Sequence, residues 1–142
     1  VIEALDNGEI FIHGVAVKPG KPTIVGKVDN KAIFGLPGHP SSAMIIYRIF
    51  VDYLIKKLYS SEEDKILIDA VSSENIHSAP GKETYQAVDL YFDDNEYKAI
   101  PVYGKSAAIS KVARSKGFIR IEGNKEGIKK GEKVKVELFN YS

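Results

Sequence analysis

The rhythm of apolar and polar positions changes once along the chain. In the first part, short apolar runs broken by glycine and proline lead into residues at helical spacing. Residues 10–17 predict a strand. Residues 23–28 and 32–36 predict two more, joined through Asp29-Asn30-Lys31 as a hairpin. Over residues 40–58, Ala43, Met44, Ile46, Phe50, Leu54 and Leu58 recur close to every third or fourth position. Ile45, Ile49, Val51 and Ile55 widen that stripe, which predicts one long helix with most of its surface buried. Pro40 suits the first helical position, where no N–H is required. Lys56 and Lys57 fall in the last turn, where cations complement the helix dipole.

Beyond the polar SSEEDK of residues 60–65, the period drops towards two. KILIDAV, TYQAVDLYF, YKAIPVY, GFIRIE and EKVKVEL are short and rich in β-branched and aromatic residues. Turns at Asp93-Asp94-Asn95, Gly123-Asn124 and Lys130-Gly131 separate them, and one helical piece, residues 106–114, interrupts them. Many short strands with such turns predict a small β-barrel or a compact sandwich. The fold class is therefore α+β, in two unlike parts: residues 1–59 and residues 60–142.

Composition narrows the function classes. The 142 residues suffice for one ordinary domain or two small ones, and 44% hydrophobic with 27% charged residues is ordinary for a globular protein. A net charge of +1 points away from a nucleic-acid partner. The chain has no cysteine, which removes disulfides and thiolate metal sites. No apolar stretch is long enough to span a bilayer, so no membrane partner is expected, and with no leader at its start the expected setting is the reducing cytoplasm. Val1 opens in mid-pattern: VIEALDNGEIFIHG reads as the tail of a helix, a turn at Asn7-Gly8 and a strand. The expectation is a piece of a longer protein.

Most candidate chemistry has a plain explanation. His13, His39 and His77 lie far apart without metal-ligand spacing and read as surface or loop histidines. Asp93-Asp94 reads as a hairpin turn, and KKGEKVKVE as a solvated strand face. Two loops stand out. In KPGK, proline and glycine shape a stiff, sharply bent turn from which Lys18 and Lys21 project, and an ammonium is a compact partner for a phosphate or an oxyanion. In GLPGHPSS, a Gly/Pro loop opens a helix whose first N–H groups face anions, and Ser41 and Ser42 add hydroxyls. The alternatives are a basic surface turn and a capped turn with no ligand. One short hairpin joins the two loops, so they can meet at one edge of a sheet. In open α/β sheets, ligands bind outside the C-terminal strand ends.

HGVAVKPGKP and IFGLPGHPSSAM, followed by SAPGKETYQAVDL, IPVYGKSAAISKVARSKGFIRI and EGIKKGEKVKVEL, resemble the molybdopterin molybdotransferases, the family of the bacterial MoeA proteins and the E domain of gephyrin. The resemblance runs over essentially the full chain. It implies the C-terminal part of a MogA/MoaB-like α/β domain, which binds molybdopterin, over residues 1–59, then a small C-terminal β-barrel over residues 60–142. It also implies insertion of molybdate into adenylylated molybdopterin with a divalent cation, magnesium, in a homodimer whose cleft combines domains of both subunits. A MogA-like protein is an implied partner. Lys18 and Lys21 match the motif lysines that line the family's pocket. Gly38 and Ser42 match the loop and helix start after GLPG, and Ser106 matches a serine facing the cleft. With Gly20, Ser41 and Lys82 they make up the expected cofactor-binding set; no catalytic residue and no metal ligand is assigned.

The chain makes three departures from the family pattern. His39 stands where many relatives have asparagine. Lys82 replaces an arginine and so loses bidentate anion binding. Gly104-Lys105-Ser106 replaces a more glycine-rich turn. The family's Gly-rich phosphate loop and its acidic residues have no match here and are expected upstream of Val1. The 142 residues alone are therefore expected to be inactive, and to self-associate through residues 1–58, because cutting a parallel sheet leaves open edges. Inserting a preformed oxyanion requires positioning and electrostatic stabilisation more than a strong base, which suits lysines and helix N–H groups. The alternative is a protein-interaction or scaffold module of the gephyrin type, without catalysis of its own.

Overall fold

A computed structural model describes residues 1–60, 65–103 and 109–139. They group into two compact units, Val1–Glu62 and Glu63–Ser142.

In the first unit a 3₁₀ turn leads into β1 (Gly8–His13), followed by β2 (Val17–Lys18), β3 (Ile24–Val28) and β4 (Lys31–Gly35). The strand expected over residues 10–17 ends early, because Gly14 turns the chain away with φ 91°. The expected hairpin forms: β3 pairs β4 with Val28 opposite Lys31 and Ile24 opposite Gly35, and β1 lies on the other side of β3. Asp29 takes the left-handed backbone of a tight turn, φ 51°, and Asn7 Nδ2 donates to its carboxylate at 3.1 Å. This three-stranded sheet is antiparallel throughout, as the expected hairpin requires. The two-residue link between β3 and β4 allows no other direction, since parallel neighbours need a crossover of about a dozen residues.

The long helix comes next as α1 (Pro40–Ile46), a π-helical stretch (Tyr47–Asp52) and α2 (Tyr53–Leu58). Its first half is buried, with Ile45 2% and Ile46 0% exposed. Its second half is not: Tyr53 is 61% and Leu58 70% exposed. The expectation of a mostly buried helix thus fails beyond the π-helical stretch. The physical reason is register. A stripe read at 3.6 residues per turn assumes i→i+4 bonding, and the wider i→i+5 turn rotates α2 onto another face. Asp52 anchors that region, accepting from Arg48 and Lys56 at 3.0 Å each.

The second unit contains β5 (Leu67–Ser72), β6 (Ile76–His77), β7 (Glu83–Asp93), β8 (Glu96–Pro101), α3 (Ile109–Arg114), β9 (Gly117–Ile121), β10 (Gly127–Ile128) and β11 (Lys133–Leu138). Five of these strands close a barrel in the order β7-β8-β5-β11-β9 and back to β7. Only β5–β8 is parallel. Closure rests on the length of β7: residues 84–88 pair with β9 and residues 88–93 with β8. Asp94 and Asn95, both at positive φ, make the two-residue turn between β7 and β8. Alternation sends Ala70, Val88, Ala99, Ile119, Ile121, Val134 and Val136 inward to one buried core. At the β9–β11 seam a Cβ on Gly117 would lie 2.2 Å from the Glu137 carbonyl, so the backbones approach closely only because residue 117 is glycine. The short β6–β10 pair adds two residues a side, too few to leave a periodic signal in the sequence.

Candidate functional site

The KPGK loop is held by its backbone and by one buried hydroxyl. Gly14 N donates to the Thr23 carbonyl at 2.7 Å and Val15 N to the Lys21 carbonyl at 3.0 Å. Thr23, fully buried, donates to the Gly20 carbonyl through both its backbone N (3.1 Å) and its Oγ1 (2.6 Å). The Lys18–Pro19 peptide is cis. Gly20 has φ 135°, and a Cβ there would lie 2.4 Å from Ile46 Cδ1. The loop therefore sits directly on α1, in a backbone conformation and a space that suit only glycine. Lys18 and Lys21, on either side of Pro19-Gly20, are exposed.

The second loop leaves β4 at Gly35, which lies opposite Ile24 at the start of β3. The two loops consequently open at the same end of the β3–β4 hairpin. Pro37 is buried and Gly38 exposed, and a Cβ on Gly38 would meet nothing within 4 Å. His39 is the N-cap residue, its carbonyl accepting from Ala43 N at 3.0 Å. Its Nδ1 lies 2.8 Å from Ser41 Oγ. Ser42, one position on, is buried at 9% exposure. The structure thus brings Gly20 onto the helix that Pro40 begins, with Lys18, Lys21, His39 and Ser41 at the surface of the first unit.

The remaining expected residues lie elsewhere in the chain. Lys82, half-buried, belongs to the second unit, in a turn closed by Lys82 N donating to the Ala79 carbonyl (3.1 Å) and Gly81 N to the Gly123 carbonyl (3.0 Å). Ser106, with Gly104 and Lys105, lies outside the described residues. His13 and His77 are exposed on β1 and β6. Among the described residues no group of His, Asp and Glu is placed to hold a metal ion, so magnesium has no ligand set there. What the two loops offer is ammonium charge, a hydroxyl and a helix start, residue types suited to an anion and requiring no proton transfer.

Sequence reasoning missed one polar cluster on the barrel. Arg120 donates to both carboxylate oxygens of Glu83, Nε at 3.2 Å, and the Tyr85 hydroxyl donates to Glu83 at 3.0 Å. The Arg120 hydrogen bond holds the Glu83 carboxyl below its ordinary range. Burial, then the bond to Glu83, pushes the Tyr85 phenol up to about 12, so it stays a donor. The outward positions of ETY and GFIRI hinted at three polar residues on one face; only the register, with Tyr85 opposite Arg120, joins them.

A loop pair suited to anions, in a chain that goes on to close a five-stranded barrel, defines a class that comparison makes specific. Residues 69–139, half of the chain, match the MoeA C-terminal region (domain IV), and residues 1–57 match a probable molybdopterin binding domain. The chain belongs to the MoeA family. It is 31% identical over 139 residues to a molybdopterin molybdenumtransferase from Haemophilus influenzae, covering 94% of this chain and 34% of that protein. A putative molybdopterin biosynthesis protein from Methanocaldococcus jannaschii is also 31% identical, covering 93% of this chain and 30% of that one. Among solved structures, a molybdopterin biosynthesis MoeA protein from Pyrococcus horikoshii superposes with a TM-score of 0.83 at 31% identity, over 96% of this chain and 33% of that chain. A molybdenum cofactor biosynthesis protein from Pyrococcus furiosus reaches 0.79 at 25% identity, over 92% and 46%. The chain spans about a third of the length of the curated relatives it matches.

Proposed function

We propose that this chain serves molybdenum cofactor biosynthesis as part of a molybdopterin molybdenumtransferase, contributing one wall of the site that holds molybdopterin while molybdate is inserted. Residues 1–59 form the C-terminal part of the molybdopterin-binding domain and residues 60–142 the C-terminal barrel. The observation that carries this reading is the first unit's loop pair: exposed Lys18 and Lys21 on a turn clamped by Gly20 and Thr23, at the same hairpin end as Gly38–Ser42. Molybdopterin carries a phosphate and molybdate is an oxyanion, and fixed ammonium groups and hydroxyls stabilise both without reorganising. The proposed molybdopterin-binding set also includes Lys82 and Ser106 of the second unit's sequence. Magnesium, a homodimeric arrangement and a MogA-like partner complete the proposed working protein. The exposed Tyr53 and Leu58 of the first unit are consistent with a partner surface there.

Titrating molybdopterin into the chain tests the reading. Lys18→Ala and Lys21→Ala each remove a charge-assisted hydrogen bond and should weaken binding about tenfold or more, with the circular dichroism spectrum unchanged. Unchanged affinity in the double variant would refute the assignment. The 142 residues alone are expected to give no molybdate insertion; turnover at the rate of a relative three times as long contradicts that part.

A further inference from the structure

His39 is the one polar group of the loop pair that the anion-holding role leaves unused. Its Nδ1 sits 2.8 Å from Ser41 Oγ, and both residues are accessible to a ligand, His39 exposed and Ser41 half-buried. Gly38 beside them faces open space. A hydroxyl has one hydrogen and two lone pairs, and a neutral imidazole has one donor and one acceptor nitrogen, so the 2.8 Å contact exists in two forms. In one, Ser41 O–H donates to a bare Nδ1. The hydroxyl hydrogen is then used up, and Ser41 turns only lone pairs outward, which repel an anion. In the other, Nδ1–H donates to Oγ and the hydroxyl hydrogen is free to point at a ligand.

We infer that His39 is a positioning residue for Ser41: in the anion-bound state it donates through Nδ1, so that the Ser41 hydroxyl hydrogen points at a phosphate or molybdate oxygen. This rests on the proposed anion-holding role of Lys18 and Lys21 and adds a hydrogen-bond switch to it. The switch is a change of tautomer, one proton redistributed within the neutral imidazole; no bond between heavy atoms changes. Asparagine at position 39 would place an amide nitrogen close to where Nδ1 now lies, a permanent donor in place of a switchable one.

The test is nitrogen-detected NMR of the imidazole rings of the 142-residue chain during a titration with inorganic phosphate. His13 and His77 serve as internal controls, and the backbone amides of Lys18 and Lys21 report binding. With phosphate bound, His39 Nδ1 should resonate as a protonated, donor nitrogen while His13 and His77 stay where they were. His39→Ala should weaken phosphate binding roughly three- to tenfold, the net worth of one ordinary hydrogen bond. His39→Asn should restore it. Ser41→Ala should cost the same factor and abolish the His39 response, and the double variant His39→Ala/Ser41→Ala should lose no more than either single one. If Lys18 and Lys21 respond while His39 Nδ1 remains unprotonated, or if all three histidines shift alike, the inference is wrong and the anion site stands. If no residue of the two loops responds, both fall together.

Discussion

The two units of this chain bury their apolar residues very differently. In the barrel, nine buried apolar side chains from seven strands form one cluster, from Ala70 to Val136, and every pairing of the five-stranded wall is closed. In the first unit Ile45, Ile46 and Pro37 are the only buried apolar side chains among the described residues, while Phe11, Tyr53, Leu58 and Tyr59 are all more than half exposed. Its other buried side chains include Thr23 and Ser42, both polar. The barrel therefore carries its own stability, whereas the first unit uses its few buried contacts to shape loops. That is a reasonable division for a region whose proposed task is to hold a ligand, because binding loops come from the low-stability part of a fold. Amide hydrogen exchange should show it directly, with β5, β9 and β11 protected longest and β1, β3 and β4 opening first. Equal protection in the two units would break the contrast.

Substitutions sharpen it. The largest effect is expected in the barrel: Ile119→Ala, at a position 2% exposed, should cost about 3 kcal/mol in chemical denaturation, whereas Leu58→Ala should cost less than about 0.5 kcal/mol. Comparable losses would mean that the first unit has a core equal to the barrel's. Next comes Gly20→Val, which puts a branched side chain at φ 135° and into Ile46. It should cost about 2 kcal/mol, confined to exchange in the first unit, and should abolish phosphate binding while leaving the barrel transition in place. A barrel destabilised by the same variant would show that the units are not separate in this respect. The smallest effect concerns the barrel's seam. Arg120 holds the Glu83 carboxyl below its unfolded value of about 4.3, so the pair stabilises the barrel above that pH and loses its contribution as pH falls through the lower folded value. The pair is partly exposed, so a double-mutant cycle of Glu83→Gln with Arg120→Gln should give only about 0.5 kcal/mol at pH 7, fading below pH 4. A coupling that persists undiminished at pH 3 would contradict the carboxylate's part in it.

Local signals in the sequence translated well where they were local in fact. The Asp29-Asn30 hairpin, the Asp94-Asn95 turn, the Pro40 helix start and the five main barrel strands all appear near their expected positions. The readings that failed depended on something the local pattern cannot carry. One extra residue per turn in the π-helical stretch moved α2 off the buried face although its apolar spacing looked intact. The site was legible in part: the residue types of both loops were visible, but the reason for Gly20 was not, because the Ile46 side chain that demands it lies in another element.

By itself, then, the sequence determined where the main strands lie, where the chain turns and which residues carry charge suited to an anion, because alternation, helical spacing and turn chemistry act over a few residues. Tertiary structure alone decided that β7 pairs on both sides and closes the barrel, that Glu83 meets Arg120 across 37 positions, and that Gly20 seats its loop on Ile46. These depend on register and packing between elements distant in sequence, where a shift of one residue turns every side chain to the opposite face.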